Sequence, residues 1–207
     1  MSINKYIFSS LPLWYIIIAL LKNTINFEYI LVLNSSIHAI ISSFFSVAYY
    51  TELITEDFYK NTLGISLTYF LYDSINLVKK KDYQLLLHHL VVSISLVPLI
   101  SPFVEKNVQV KDYYLYIARF FLSEITTIFL NNSWILYNTK QTYTKLFRIN
   151  TYILLFLTFI IRVCFITYLN YIIYMDNLIN FLGLSIPLTL LNYYWFYKLS
   201  KKAIKLN

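Results

Sequence analysis

An all-α polytopic transmembrane bundle of about seven spans is what this sequence predicts. Three observations carry the prediction. Of the 207 residues, 58% are hydrophobic and only 13% are charged, where a soluble domain carries about 25% charged residues; mean hydropathy is +0.59. The apolar residues gather into runs near the roughly 20 residues that a helix needs to cross a hydrocarbon core. The basic residues, finally, sit at the ends of those runs and collect in alternate loops.

The spans are expected in this order. The opening stretch "MSINKYIFSSLPLWYIIIALL" has one Lys ahead of an apolar run. No small-x-small cleavage site follows in "ALLKNTINF", so Tyr6–Leu21 reads as a retained anchor rather than a cleaved leader. Next come Tyr29–Tyr50, Leu63–Val78, Leu85–Val104, Tyr113–Tyr137, Leu146–Tyr174 and Leu178–Tyr197. Residues 1–28 are expected to form an anchor and loop, 29–200 one membrane domain, and 201–207 a basic cytosolic tail. No heptad repeat, duplicated half or Gly/Ser linker divides the chain.

Loop charge sets the orientation. With seven spans, one side holds eleven Lys and Arg residues, among them Lys79, Lys80, Lys81, Lys140, Lys145 and Arg148, and the other holds four: Lys5, Lys60, Lys106 and Lys111. Basic residues concentrate on the cytoplasmic face, so the N-terminus is expected to be lumenal and the C-terminus cytosolic. The acids lean to the opposite side, with Glu52, Glu56, Asp57, Glu105, Asp112 and Asp176 there. The formal charge of +7 is thus a membrane signature, and no nucleic-acid partner is expected. One cysteine, Cys164 in an apolar run, excludes a disulfide framework and a cysteine metal cluster. No HExxH is present, adjacent histidines share a metal poorly, and no metal site is expected.

What remains inside the spans is a short set of ionisable residues: His38, Asp73, His88, His89, Arg119, Glu124 and Arg162. Such residues usually face a bundle interior, as a functional path or a buried pair. Arg119 lies near a span end, where snorkelling to the interface explains it. Arg162 is mid-span, and pairing with Glu124 or Asp73 is the favoured reading, ahead of an anionic headgroup. Tyr69, Asp73 and Asn76 recur at i, i+4 and i+7, and Glu124, Thr127 and Asn131 at i, i+3 and i+7, so each set forms one polar stripe. His38 lies among small hydroxyl residues that permit close helix approach. His88 and His89 differ by about 100° around their helix. One is expected to face a cavity and the other to bridge to a neighbour.

The segments "HAIISS" (His38–Ser43), "SLTYFLYDSI" (Ser66–Ile75), "LLLHHLVVSISL" (Leu85–Leu96) and "LSEITTIFLNNSWIL" (Leu122–Leu136) come in the order seen in TLC domains, which the chain resembles. That domain is shared by ceramide synthases, translocating-chain-associated membrane proteins and the TLC-domain-containing proteins. "SEITTIFLN" is similar to the small TLC-domain-containing proteins, where an E-x-S/T-T-x-F-L-N pattern follows the paired histidines. "YIARFFLSEITTIF" has no His-Asp of the ceramide-synthase kind. The resemblance implies a TLC-type bundle of the endoplasmic reticulum that serves lipid homeostasis and houses an acyl chain in an intramembrane cavity. It carries over His88, His89, Asp73 and Glu124 as the candidate catalytic groups, and the other polar residues of the spans, His38, Tyr69, Asn131 and Arg162, are the candidate substrate-binding residues.

An imidazole near neutral pH serves as base or nucleophile, and a carboxylate orients it. An acyl-CoA-dependent acyltransferase is one candidate, with no bound cofactor and acyl-CoA as co-substrate. The rival is a non-catalytic protein that senses lipid, adjusts membrane composition or escorts cargo; a transporter or receptor is more remote. Membrane lipid and the bilayer are the expected partners, with homo-oligomerisation left open.

Overall fold

The structure is a computed structural model that describes residues 14, 16–17, 19–21, 23–100 and 110–204. Most of the expected first span, the loop with Glu105 and Lys106, and Lys5, Lys22 and Lys205 lie outside the described residues. Among the described residues all regular structure is helical, and the chain divides into two compact units, Met1–Leu122 and Ser123–Asn207.

In the first unit, helical residues between 14 and 21 precede α1 (Phe27–Tyr50), α2 (Glu56–Lys80), α3 (Tyr83–Ile100) and α4 (Val110–Phe121). Side chains set the starts. Asn26 accepts from the Glu28 N–H at 2.9 Å to open α1, and Thr55 accepts from Phe58 at 3.3 Å to open α2. Asp82 accepts from Leu85 at 3.2 Å where α3 begins. Each leaves fewer N–H groups unsatisfied at a helix start. Glu56 and Asp57 in the first turn of α2, with Lys79 and Lys80 in its last, oppose the helix dipole. α2 and α3 form a tight antiparallel hairpin, and α1 packs on both α2 and α4. Near the end of α1, Tyr49 stacks on Tyr59 with centroids 4.4 Å apart, and the Tyr59 hydroxyl meets Ser46 at 3.1 Å. At the far end of α3, Tyr114 of α4 donates to the Leu99 carbonyl at 2.5 Å.

In the second unit, the 3₁₀ turn Leu122–Glu124 leads into α5 (Ile125–Asn138), followed by α6 (Lys145–Met175) and α7 (Ile179–Ile204). Asn150 fastens α6 to α5 by donating to the Phe129 carbonyl at 2.9 Å and Ser133 at 2.6 Å, while accepting from Asn132 at 2.8 Å. Asn170 donates to Thr189 at 2.6 Å and joins α6 to α7. Within α6, Thr158–Phe165 is wound as a π-helix, a rare geometry that often marks functional sites.

Helix by helix, the packing is the reverse of a water-soluble pattern. On α1 the polar residues Asn34, His38, Ser42, Ser43 and Ser46 are buried while Leu33, Ile40, Phe44 and Val47 face outward. On α3 His89 and Ser93 are buried and Leu87, Leu90, Ile94 and Val97 exposed. α6 repeats this, with Asn150, Thr158 and Arg162 inside and Phe156, Phe159 and Ile160 outside. Water selects the opposite arrangement; hydrocarbon selects this one. α1, α3 and α6 are also the described helices long and apolar enough to cross a membrane.

Among the described residues, positive φ occurs at Glu52, Lys81, Lys140 and Asn177, each near +58°. Each follows a helix end with the paired backbone bonds of a Schellman motif, as where Leu53 N–H reaches Ala48 and Glu52 N–H reaches Tyr49. Glycine is the usual residue there because a Cβ strains the left-handed conformation. Lys81→Gly and Lys140→Gly are each expected to raise stability by about 0.5–1 kcal/mol, seen as a thermal-melt increase of a few degrees. No increase at either position means the cap is already unstrained.

Candidate functional site

The first unit collects its polar side chains around the aromatic residues Tyr69 and Phe70 of α2. His38 of α1 stacks on Tyr69, with centroids 4.0 Å apart and planes 11° off parallel. Its ring meets Phe70 edge-on at 4.9 Å. Trp14 closes in on His38 at 6.2 Å and on Tyr69 at 5.2 Å, and its indole N–H donates to Thr68 at 3.3 Å. Phe121 of α4 stands 6.4 Å from His38. From α3, His89 also meets Phe70 edge-on at 4.9 Å and lies 5.9 Å from Tyr69.

His89 presents Nδ1 to Asp73 Oδ2 at 3.6 Å. Tyr69, one turn before Asp73, hydrogen-bonds the same carboxylate. The resulting order is Tyr69, Asp73, His89. A separation of 3.6 Å exceeds a direct hydrogen bond, although catalytic contacts often shorten only when substrate is present. His88 lies half-buried on the adjoining face, 6.3 Å from Phe70 and 5.7 Å from His89. The 100° between neighbours on a helix thus separates a deep imidazole from a shallow one.

These groups share one depth. Asn34 and His38 follow the start of α1, Tyr69 and Asp73 precede the end of α2, and His89 follows the start of α3, each by about 9–17 Å of helical rise. Lys80 and Glu28, in contact at 2.5 Å, tie those helix ends together. By the loop charges this is the basic side.

Several buried polar atoms here have no hydrogen-bond partner: both side-chain atoms of Asn34, His38 Nε2, Ser43 Oγ, His89 Nδ1 and Ser93 Oγ. An unsatisfied buried polar group costs about 1–3 kcal/mol. That is a large outlay for one small unit and is characteristic of sites kept for function.

The second unit has a polar centre of its own. Arg162, on the π-helical stretch, donates from Nε to Thr126 at 2.6 Å. Its terminal nitrogens donate to Thr127 at 3.0 Å, the Ser123 carbonyl at 3.2 Å and Asn192 at 3.4 Å. Trp195 lies 5.7 Å from the guanidinium. Thr127 also donates to Glu124 Oε2 at 3.0 Å, so one hydroxyl bridges the cation and its counter-ion. Of the two expected acids, Glu124 is the one that Thr127 links to Arg162 within this unit. Asn131 is buried one turn beyond Thr127. Arg119, at the opposite end of the first unit from Lys80, lies over the rings of Tyr50 and Tyr116, 5.6 Å from each.

Of the residues singled out from sequence, the structure groups His38, Tyr69, Asp73, His88 and His89 in the first unit, and Glu124, Asn131 and Arg162 in the second. The site residues expected from sequence did not include Asn34, Phe70, Ser93, Trp14, Thr126, Asn192 or Trp195. A helical-period signal was available for two of them: Asn34 is four residues before His38, and Ser93 four after His89.

The TLC domain family matches residues 6–201 of the chain. TLC domain-containing protein 4 A of Dictyostelium discoideum is 28% identical over 149 residues, 66% of this chain and 55% of the relative, so the chain spans about half the length of that protein. No solved structure matches. With three apolar helices that bury their polar faces and a family match running nearly end to end, the chain is an integral membrane protein of the TLC-domain family.

Proposed function

We propose that the protein is a seven-span TLC-type protein of lipid homeostasis that transfers an acyl group from acyl-CoA to a lipid acceptor, with His89 as the base. The observation that carries this reading is the Tyr69, Asp73, His89 order, with Nδ1 3.6 Å from the carboxylate. A carboxylate at Nδ1 holds the imidazole in the tautomer whose Nε2 accepts a proton. His89 Nε2 takes the proton of the acceptor hydroxyl or amine, the acceptor attacks the thioester carbonyl, and the thiol leaves with a proton. The apolar faces house the acyl chain. The basic loops at the near ends of these helices meet the nucleotide phosphates from the cytosol, with the N-terminus lumenal, and the TLC-domain family supports the endoplasmic reticulum as the membrane.

A second reading is non-catalytic, in which the imidazoles fix helix packing while the protein binds or senses lipid. Edge contacts of both imidazoles with Phe70 favour it, since they hold His38 and His89 as packing elements.

Purified protein given oleoyl-CoA and a panel of hydroxyl and amine acceptors separates the two. His89→Ala is expected to lower transfer at least 100-fold, and His88→Ala, on the half-buried adjoining face, less than 10-fold. A lipid profile that shifts equally in cells expressing wild type and His88→Ala/His89→Ala removes the transferase reading and leaves the non-catalytic one.

A further inference from the structure

We infer that Asn34 and His38 form a neutral polar subsite on α1 that binds the hydroxyl-bearing, uncharged head group of a lipid. This rests on the reading of the first unit as a lipid site but not on acyl transfer. Both residues are 1% exposed, four apart, and therefore on one face of α1. Asn34 offers a donor, Nδ2, and an acceptor, Oδ1; His38 offers Nε2; none of the three has a hydrogen-bond partner. Every other polar residue buried on that helix except Ser43 has a hydrogen bond, including Ser42 to the Ala39 carbonyl and Ser46 to Tyr59.

Chemistry selects the head group. A hydroxyl both donates and accepts, so a single one satisfies the two ends of the Asn34 amide, and a second engages His38 Nε2 about one helical turn away. A charged phosphate is disfavoured, because no Lys or Arg lies on that face of α1 and the ring faces around His38 are all aromatic. Tyr69 covers one face of His38 at 4.0 Å and holds its ring plane. An acyl chain without hydroxyls leaves all three atoms unmet. A monoacylglycerol meets them.

The test is a thermal melt of delipidated full-length protein in detergent, titrated with monoolein, methyl oleate or dioleoylphosphatidylglycerol. At about 100 times its Kd, monoolein is expected to raise the wild-type Tm by roughly 5–10 °C, and methyl oleate by less than a third of that. Asn34→Leu removes the unpaired amide at nearly constant volume. It is expected to melt at or above lipid-free wild type while losing the monoolein response. His38→Phe keeps the stack on Tyr69, removes Nε2 and is expected to weaken monoolein about 10-fold. An Asn34→Leu protein that melts lower and still responds to monoolein shows the amide to be structural and overturns the proposal. Equal shifts from methyl oleate and monoolein overturn it too, leaving chain binding only, and a larger shift from dioleoylphosphatidylglycerol assigns the face to an anionic lipid instead. Because the readout is binding, failure here leaves the His89 transfer experiment intact, and loss of transfer in His89→Ala leaves this one intact.

Discussion

Arg162→Met is expected to lower the stability of the protein by about 3–5 kcal/mol, a fall of roughly 6–20 °C in Tm for a chain of this size. The guanidinium is buried and its donors go to Thr126, Thr127, the Ser123 carbonyl and Asn192. Methionine fills much of the same volume but supplies none of them. It also leaves Glu124, 8% exposed, without the cation that Thr127 links to it. Breaking one side of a buried pair strands the other charge, which is why the loss exceeds the sum of its hydrogen bonds. Glu124→Gln alone strands Arg162 in the same way. The double variant Arg162→Met/Glu124→Gln is therefore expected to melt above the value obtained by adding the two single losses, with a coupling of about 1–3 kcal/mol. Arg162→Lys is expected to recover less than half of the loss, because a point charge cannot reproduce a planar fork shared among several acceptors. Melting of Arg162→Met within about 2 °C of wild type removes the structural role. The arginine would then be free to serve an anionic head group.

The helices themselves were legible in the sequence, because bilayer length and hydropathy decide them with little help from packing. The expected spans Tyr29–Tyr50 and Leu146–Tyr174 coincide closely with α1 and α6. α2 begins well before the expected Leu63, because Thr55 caps it and Glu56, Asp57 and Lys60 extend it past the apolar run. The π-helical stretch was not legible: one changed hydrogen-bond step leaves the apolar pattern around Arg162 unaltered. Nor were the helix stops, since Glu52, Lys81, Lys140 and Asn177 occupy positions where glycine is the usual signal. At the candidate site, ionisable residues stand out in an apolar background, so His38, Asp73 and His89 were found. Asn34, Ser93, Thr126 and Asn192 are uncharged and common; beyond the four-residue spacing of Asn34 to His38 and of Ser93 to His89, only their burial distinguishes them. Which acid Arg162 pairs with also required coordinates, because Thr127 and Asn192 reach it from 35 and 30 residues away.

On the proposed transferase reading, Asp73→Asn is expected to reduce acyl transfer by about 1,000- to 10,000-fold with little change in KM or in Tm. The substitution is nearly isosteric and removes a charge that is 14% exposed, so folding is not the limiting factor. What it changes is the hydrogen-bonding preference at His89 Nδ1. A carboxylate accepts only, and so selects the imidazole with a proton on Nδ1 and a free pair on Nε2. An amide offers its N–H₂ as readily and stabilises the opposite tautomer, in which Nε2 already carries a proton and cannot act as base. Serine proteases lose about 10⁴ in turnover for the same exchange. The carboxylate also stabilises the imidazolium formed as the acceptor proton moves, an interaction that strengthens only toward the transition state and therefore acts on kcat rather than KM. Tyr69→Phe deletes one hydrogen bond to Asp73 and leaves the His38 stack in place, so its expected effect is smaller, about 10-fold. The ranking matters more than either value: Asp73→Asn must exceed Tyr69→Phe, and His89→Ala must equal or exceed both. If Asp73→Asn retains transfer within about threefold of wild type while His89→Ala does not, His89 acts without its carboxylate, and the 3.6 Å approach is a packing contact.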